Sequence, residues 1–254
     1  MTNENRVLLH TDRDALCASV AARFITKVID LLDEQERVDL CLAGGTVGIQ
    51  TLGAIAANPA SRGIAWDRVH CWWGDERWLP EGDPERNVTQ ARDAILDGLE
   101  IPTENIHAFA ASDEGLSLDE AASRYAEDVA ELDEARSFDI AFLGVGPDGH
   151  IASLFPGHSS VAATELVIAE RDSPKPPSER LSLTLPVINR ADRIWVVLSG
   201  GDKAPALGLA LAGAPADEVP LSGVRGQKRT VFFVDQSAAA EVPANLIATG
   251  YDQP

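Results

Sequence analysis

Apolar positions along the chain follow two alternating patterns. Short continuous runs at residues 7–10, 39–43, 69–73, 139–143, 194–199 and 230–234 predict strands, and their lack of alternation predicts burial on both faces. Between the first two runs, residues 12–36 carry Leu16, Val20, Phe24, Val28 and Leu32 at intervals of four, one apolar stripe of a long helix. Ser117-Leu118-Asp119-Glu120 is a capping-box pattern that predicts a helix running to about Asp133. Strands alternating with helices at this spacing predict an α/β fold with a mostly parallel sheet flanked by helices. Ligands of such sheets bind beyond the carboxyl ends of the strands, so the loops that follow strands are where chemistry is expected.

Residues 173–178, Ser-Pro-Lys-Pro-Pro-Ser, form one Pro-rich stretch, too short to separate domains and expected to be a surface loop. No internal repeat is visible, and a single domain over residues 1–254 is expected. Hydrophobic residues at 45% and charged residues at 24% are ordinary globular values. The formal net charge is −19, which argues against a nucleic-acid partner and against an anionic membrane surface. The apolar runs are too short to span a bilayer. The polar N-terminus leads into an apolar stretch of three residues and has no signal-peptide pattern. Cys17, Cys41 and Cys71 are odd in number and widely spaced, so they read as buried hydrophobes in a reducing compartment, with neither disulfide nor metal spacing. The expected localisation is cytoplasmic. No pattern in the chain specifies an oligomeric state.

Three post-strand loops hold candidate chemistry. Ala43-Gly44-Gly45-Thr46-Val47-Gly48 precedes the apolar helix-like stretch 49–57, where glycines let backbone N–H groups face a phosphate at a helix N-terminus. It lacks the Lys of a Walker loop and the third Gly of a dinucleotide fingerprint, and alone it reads as a tight turn. Gly74-Asp75-Glu76-Arg77 places three charges where a strand ends, with Asn87 following; an ion pair within the cluster is an equally good account. The strongest segment is Gly144-Val145-Gly146-Pro147-Asp148-Gly149-His150, continuing to Gly157-His158. Glycines and prolines impose an unusual backbone path around an Asp and a His two residues apart, the pairing of a general base with a carboxylate that orients it. A metal held by Asp148, His150 and either His158 or Asp75 would need ligands from distant loops without an H-x-x-x-H spacing and is the minority reading. Ser153 as a nucleophile lacks a G-x-S-x-G elbow, and His158 reads as a surface loop residue. Arg180, which opens the alternating stretch 181–185, and Lys203, which precedes a helix over 204–212, stand out because bases are scarce.

In order along the chain, these segments resemble the 6-phosphogluconolactonase family, within a superfamily that also holds glucosamine-6-phosphate deaminase. The resemblance rests on Leu42-Ala43-Gly44-Gly45-Thr46, Trp73-Gly74-Asp75-Glu76-Arg77, residues 143–157, residues 180–186 and Gly200-Gly201-Asp202-Lys203-Ala204. It implies a three-layer modified Rossmann-like fold and one sugar-phosphate-binding catalytic domain. It further implies hydrolysis of 6-phospho-D-glucono-1,5-lactone to 6-phosphogluconate in the pentose phosphate pathway, with no cofactor and no metal. By the same resemblance His150 is the general base with Asp148 beside it. Gly44, Gly45, Thr46, Arg77, Arg180 and Lys203 form the cradle for phosphate and sugar oxygens, and Asp75 binds or orients the ring.

Two positions depart from the family pattern. The family's Gly-Gly-Ser-Thr-Pro is here Gly44-Gly45-Thr46-Val47-Gly48, which keeps backbone N–H donation but shifts the hydroxyl. The family's Ser-Asn is here Arg86-Asn87, so that Arg86 either adds a charge near the site or points to solvent.

The alternatives are a glucosamine-6-phosphate deaminase or isomerase and a non-catalytic phosphosugar-sensing domain. The first is disfavoured because residues 153–156, Ser-Leu-Phe-Pro, lack the carboxylate of that relative's Phe-Asn-Glu-Pro. A sensing domain attached to a DNA-binding module is disfavoured by the early first strand and the acidic charge. The expected partner is therefore a small sugar phosphate, met by a few bases concentrated in a cleft of an otherwise acidic surface.

Overall fold

The structure, a computed structural model, describes residues 5–132 and 137–247. In chain order the first half holds β1 (Asn5–His10), α1 (Arg13–Glu34), β2 (Val38–Leu42), α2 (Thr46–Ala57), β3 (Val69–Trp73), β4 (Asp75–Arg77), α3 (Asn87–Ala94) and β5 (Ile106–His107). The second half holds α4 (Leu118–Ala130), β6 (Ile140–Leu143), β7 (Val167–Glu170), β8 (Arg180–Leu183), α5 (Leu185–Ile188), β9 (Arg193–Leu198), α6 (Ala204–Leu211) and β10 (Arg229–Asp235). Seven strands form one sheet in the order β1-β10-β9-β6-β2-β3-β5, and every pairing in it is parallel. Helices flank this sheet, as the alternation of patterns requires.

The six apolar runs all become strands of this sheet, with no end shifted by more than two residues. β6 begins at Ile140, and the preceding Asp139 ties two neighbouring strands at their starts, its carboxylate accepting from Asp39 N and Gln35 Nε2, both at 2.9 Å. The stripe on α1 is buried throughout, with Asp12 capping its start by accepting from Ala15 N at 2.9 Å. The capping box at Ser117 and Glu120 forms as expected, and α4 is described to Ala130; Asp133 lies outside the described residues. All three cysteines are buried and free.

A second sheet, β4-β8-β7, is antiparallel and is not predicted by the apolar pattern. Its strands have three or four residues, and β4 consists wholly of charged residues, so no period develops along it. Gly74 is the junction: its N–H donates to Leu42 O of the large sheet at 3.1 Å, while its carbonyl accepts from Leu183 N of the small sheet at 2.8 Å. The chain thus leaves the end of β3 and enters a sheet lying over the carboxyl ends of the central strands. β5 also escapes the apolar pattern, since it has only two residues.

Candidate active site

A cleft of about 170 Å³ opens at the carboxyl ends of β2, β6 and β9. Gly44, Gly45, Thr46, Asp75, Arg77, His150, Arg180 and Lys203 all line it, although they come from five separate segments. Asp148 does not line the cleft; it stands behind His150.

The first wall is the start of α2. Gly45, the residue preceding the helix, has φ of 80°, which an L side chain rarely adopts. No side chain caps this helix and no acid sits in its first turn, so the N–H groups at Thr46 and Val47 and the positive end of the helix dipole face the cleft. A Cβ on Gly44 would lie 1.8 Å from Asn87 Oδ1, so the close approach of the Asn87 side chain requires glycine there.

The second wall is β4. Period-two alternation sends Asp75 and Arg77 toward the cleft and Glu76 inward, where it is 1% exposed. Glu76 Oε1 accepts from Asn87 N at 2.6 Å and Arg77 N at 2.8 Å, and Oε2 accepts from Val88 N at 3.0 Å. Burial pushes the Glu76 carboxyl up, against the downward pull of these N–H groups and of Arg86. Arg86 neither points to solvent nor enters the cleft. It is 2% exposed, sits with Nε 3.7 Å from Glu76 Oε2, and donates from Nη2 to Phe109 O at 2.7 Å. Its charge answers Glu76, because two buried ions need each other. Asp75 is held by Ser153 Oγ, which donates to Oδ2 at 2.7 Å. Ser153 is fully buried, so the hydroxyl considered as a nucleophile instead fixes a carboxylate.

Register pairs Arg77 with Arg180 across β4 and β8, which sets two guanidiniums side by side. Arg77 Nη1 donates to Glu85 O, and its Nε is buried without a hydrogen-bond partner. Arg180 donates from Nε to Pro177 O and from Nη2 to Lys175 O and Pro176 O, so it also anchors the Pro-rich loop. Its guanidinium carbon lies 5.8 Å from the Phe155 ring centre. Lys203 enters from the turn before α6, with Nζ 2.9 Å from Ser199 O.

The third wall is the loop after β6. His150 Nδ1 and Asp148 Oδ1 are 2.5 Å apart. The backbone closes on itself through Gly146 N donating to His150 O and Gly149 N donating to Gly146 O, both at 3.0 Å. Gly146 is obligatory because a Cβ there would lie 2.0 Å from His150 Cε1 and 2.5 Å from Asp148 Oδ1. Burial acts to raise the Asp148 carboxyl, but the hydrogen bonds and charge of His150 outweigh it and bring the group down to about 2. A carboxylate at Nδ1 favours the tautomer with its proton there, leaving Nε2 as the nitrogen able to accept a proton. Phe155, 1% exposed, packs its ring 4.7 Å from the His150 ring and limits its rotation.

His158 lies outside the cleft, with Nδ1 3.4 Å from Glu170 Oε2. Among the described residues no three or more His, Cys, Asp or Glu side chains converge as metal ligands would. Asn87, to which the motifs gave no role, also lines the cleft. Its Nδ2 donates to Asp75 O at 2.8 Å, while its Oδ1 is buried without a hydrogen-bond partner. Only its position after the charged cluster hinted at it.

A parallel α/β sheet with an anion-ready helix start, three cations and a carboxylate-oriented histidine at one cleft defines a class of proteins built to handle small phosphorylated ligands. The sequence profile described as glucosamine-6-phosphate isomerases/6-phosphogluconolactonase matches residues 11–233, and the chain belongs to this family. It is 44% identical to the 6-phosphogluconolactonase of Streptomyces coelicolor over 97% of this chain and 98% of that one. It is 41% identical to the 6-phosphogluconolactonase of Mycobacterium tuberculosis over 92% of this chain and 96% of that one. The crystal structure of 6-phosphogluconolactonase from Thermotoga maritima superposes with a TM-score of 0.82 at 27% identity, covering 92% of this chain and all of that one. A monomeric glucosamine-6-phosphate deaminase shares the fold with a TM-score of 0.78 at 20% identity, so the fold alone does not separate the two activities.

Proposed function

We propose that the chain hydrolyses 6-phospho-D-glucono-1,5-lactone to 6-phosphogluconate, with His150 as general base. The observation that carries this reading is the Asp148–His150 pair set into a cleft whose other walls hold Arg77, Arg180, Lys203 and the start of α2. Family membership and the names of relatives at 41–44% identity support the same substrate.

In this mechanism the phosphate is gripped by the cations and the N–H groups at Thr46, and the binding energy of that remote group positions the lactone ring. His150 Nε2 takes a proton from water as its oxygen bonds to the carbonyl carbon. The Asp148 carboxylate stabilises the imidazolium through Nδ1–H. Collapse of the tetrahedral intermediate breaks the bond from the carbonyl carbon to the ring oxygen, which leaves as a hydroxyl after receiving the proton from His150. The new carboxylic acid then ionises, and the base is regenerated. Asp75 meets the ring hydroxyls and fixes its face, with Asn87 Nδ2 holding the Asp75 backbone carbonyl.

The test is a coupled assay with freshly generated lactone, read against its spontaneous hydrolysis. Acceleration proportional to enzyme concentration is expected; none would overturn the reading. Within the same assay Lys203→Ala should raise KM by about 10- to 100-fold, the worth of one charge-assisted hydrogen bond to phosphate. An unchanged KM would remove Lys203 from the cradle.

A further inference from the structure

The last residue of β10, Asp235, is 6% exposed and is not among the residues lining the cleft. Parallel register sets Val234 of β10 opposite Leu198 of β9. Asp235 therefore comes alongside the turn that leaves β9, Ser199-Gly200-Gly201-Asp202-Lys203. Its Oδ2 accepts from Ser199 Oγ at 2.6 Å, and its Oδ1 accepts from Ala238 N at 2.8 Å. Gly200 N donates to both carboxylate oxygens at 3.2 Å. Arg13 Nε donates to the same Ser199 Oγ at 2.9 Å, which leaves the hydroxyl proton for Asp235. Burial acts to raise the Asp235 carboxyl, but the hydrogen bonds of Ser199, Ala238 and Gly200 and the charge of Arg13 outweigh it. The group is held below the usual carboxylate range and is ionised near neutral pH.

The peptide between Ser199 and Gly200 links this carboxylate to the cleft. Its N–H end is held by Asp235, and its carbonyl end, Ser199 O, accepts from Lys203 Nζ at 2.9 Å. A trans peptide is planar with its N–H and C=O pointing in opposite directions, so fixing one end aims the other. Gly200 has φ of 105°, a conformation that glycine enters and leaves freely, so the peptide plane needs an outside hold. An N–H bonded to a carboxylate also polarises its own carbonyl and strengthens the bond to the ammonium. Lys203 N donates to Gly200 O at 3.2 Å and closes the turn. The neighbouring acid, Asp202, is exposed and 4.0 Å from Lys203 Nζ, a weak tether beside Ser199 O. A long lysine side chain held in place before the ligand arrives loses less rotamer freedom on binding.

We propose that Asp235 is a positioning residue of the cleft, which holds the Lys203 ammonium in place for the ligand through the Ser199–Gly200 peptide. The proposal rests on the reading of Lys203 as part of the phosphate cradle and adds a residue that touches no ligand. Charge and position predict opposite signs. Neutralising an acid near an anion site tightens binding by charge alone, whereas releasing Lys203 weakens it. A carboxylate that merely closed the turn would act on the site whether or not Lys203 were present.

The test is a double-mutant cycle of Asp235→Asn and Lys203→Ala in lactone kinetics, with calorimetric titration of wild type and Asp235→Asn by inorganic phosphate. Asp235→Asn should raise KM and the phosphate Kd by about three- to tenfold, the net worth of one hydrogen bond, with kcat within about twofold. In the Lys203→Ala background the same substitution should change KM by less than about twofold. An unchanged or lowered KM, equal multiples in both backgrounds, or a fall in kcat alone would overturn the proposal. Should Asp235→Asn fail to fold, Ser199→Ala removes one grip on the carboxylate and is read in the same cycle. It should raise KM by about two- to threefold with Lys203 present and leave it unchanged without Lys203; equal effects would overturn the proposal. A wild-type protein without turnover, whose phosphate Kd still rises in Asp235→Asn, sinks the lactonase reading and leaves the role of Asp235 standing. Turnover with an additive cycle does the reverse. Neither turnover nor phosphate binding would remove the cradle and this role with it.

Discussion

Replacing His150 by alanine is expected to lower kcat for the lactone by about 10²- to 10⁴-fold while KM stays within a few-fold, the range that positioned general bases contribute. The split between kcat and KM follows from the geometry. His150 is set into the cleft with Nδ1 already taken by Asp148, whereas the cations that hold the ligand belong to other segments. Asp148→Asn should give a smaller loss, since an amide oxygen can still accept from Nδ1–H but adds no charge to stabilise the imidazolium. Initial rates measured against the spontaneous reaction check both variants. A His150→Ala enzyme with near-normal turnover would show that water is activated elsewhere.

The second large effect is one of stability. Glu76→Ala should destabilise the fold by about 3–5 kcal/mol, because it removes the acceptor of three backbone N–H groups and strands Arg86 as a buried, unpaired cation. For a chain of this size that corresponds to a fall in Tm of roughly 6–20 °C, measurable by calorimetry. The loss should spread to the site, because Glu76 holds both the start of α3, where Asn87 sits, and the backbone of Arg77 between two lining side chains. A Glu76→Ala protein with unchanged Tm would mean that the neighbouring backbone finds other partners at no cost.

Glu76 also shows where reading the sequence stops. Asp75, Glu76 and Arg77 look equivalent as a written cluster, and a bare motif does not say which of them faces the ligand. The answer depends on pairing with β8. Once Asp75 lies opposite Ser182 and Arg77 opposite Arg180, Glu76 has to point the other way, opposite Leu181. A three-residue strand of charged residues has no apolar alternation to announce that choice. Arg86 is a similar case. As a charge beside a site it has two obvious fates, yet it takes a third, because the buried Glu76 carboxylate draws it inward.

The sequence by itself determined the large parallel sheet, the long first helix and the loops that carry chemistry. Those features depend on local patterns: continuous apolar runs, a four-residue stripe, and glycines where a strand ends. The Asp148–His150 pair was legible for the same reason, since two residues and a glycine-rich turn decide its geometry. Only the tertiary structure decided what depends on distant segments meeting. It placed the small sheet over the strand ends, turned Ser153 toward Asp75 and drew Arg86 inward against the buried Glu76. The physical reason is range. Strand and helix periods are set by neighbours a few residues away, whereas charge partnership and cleft lining follow from register between strands far apart in the chain.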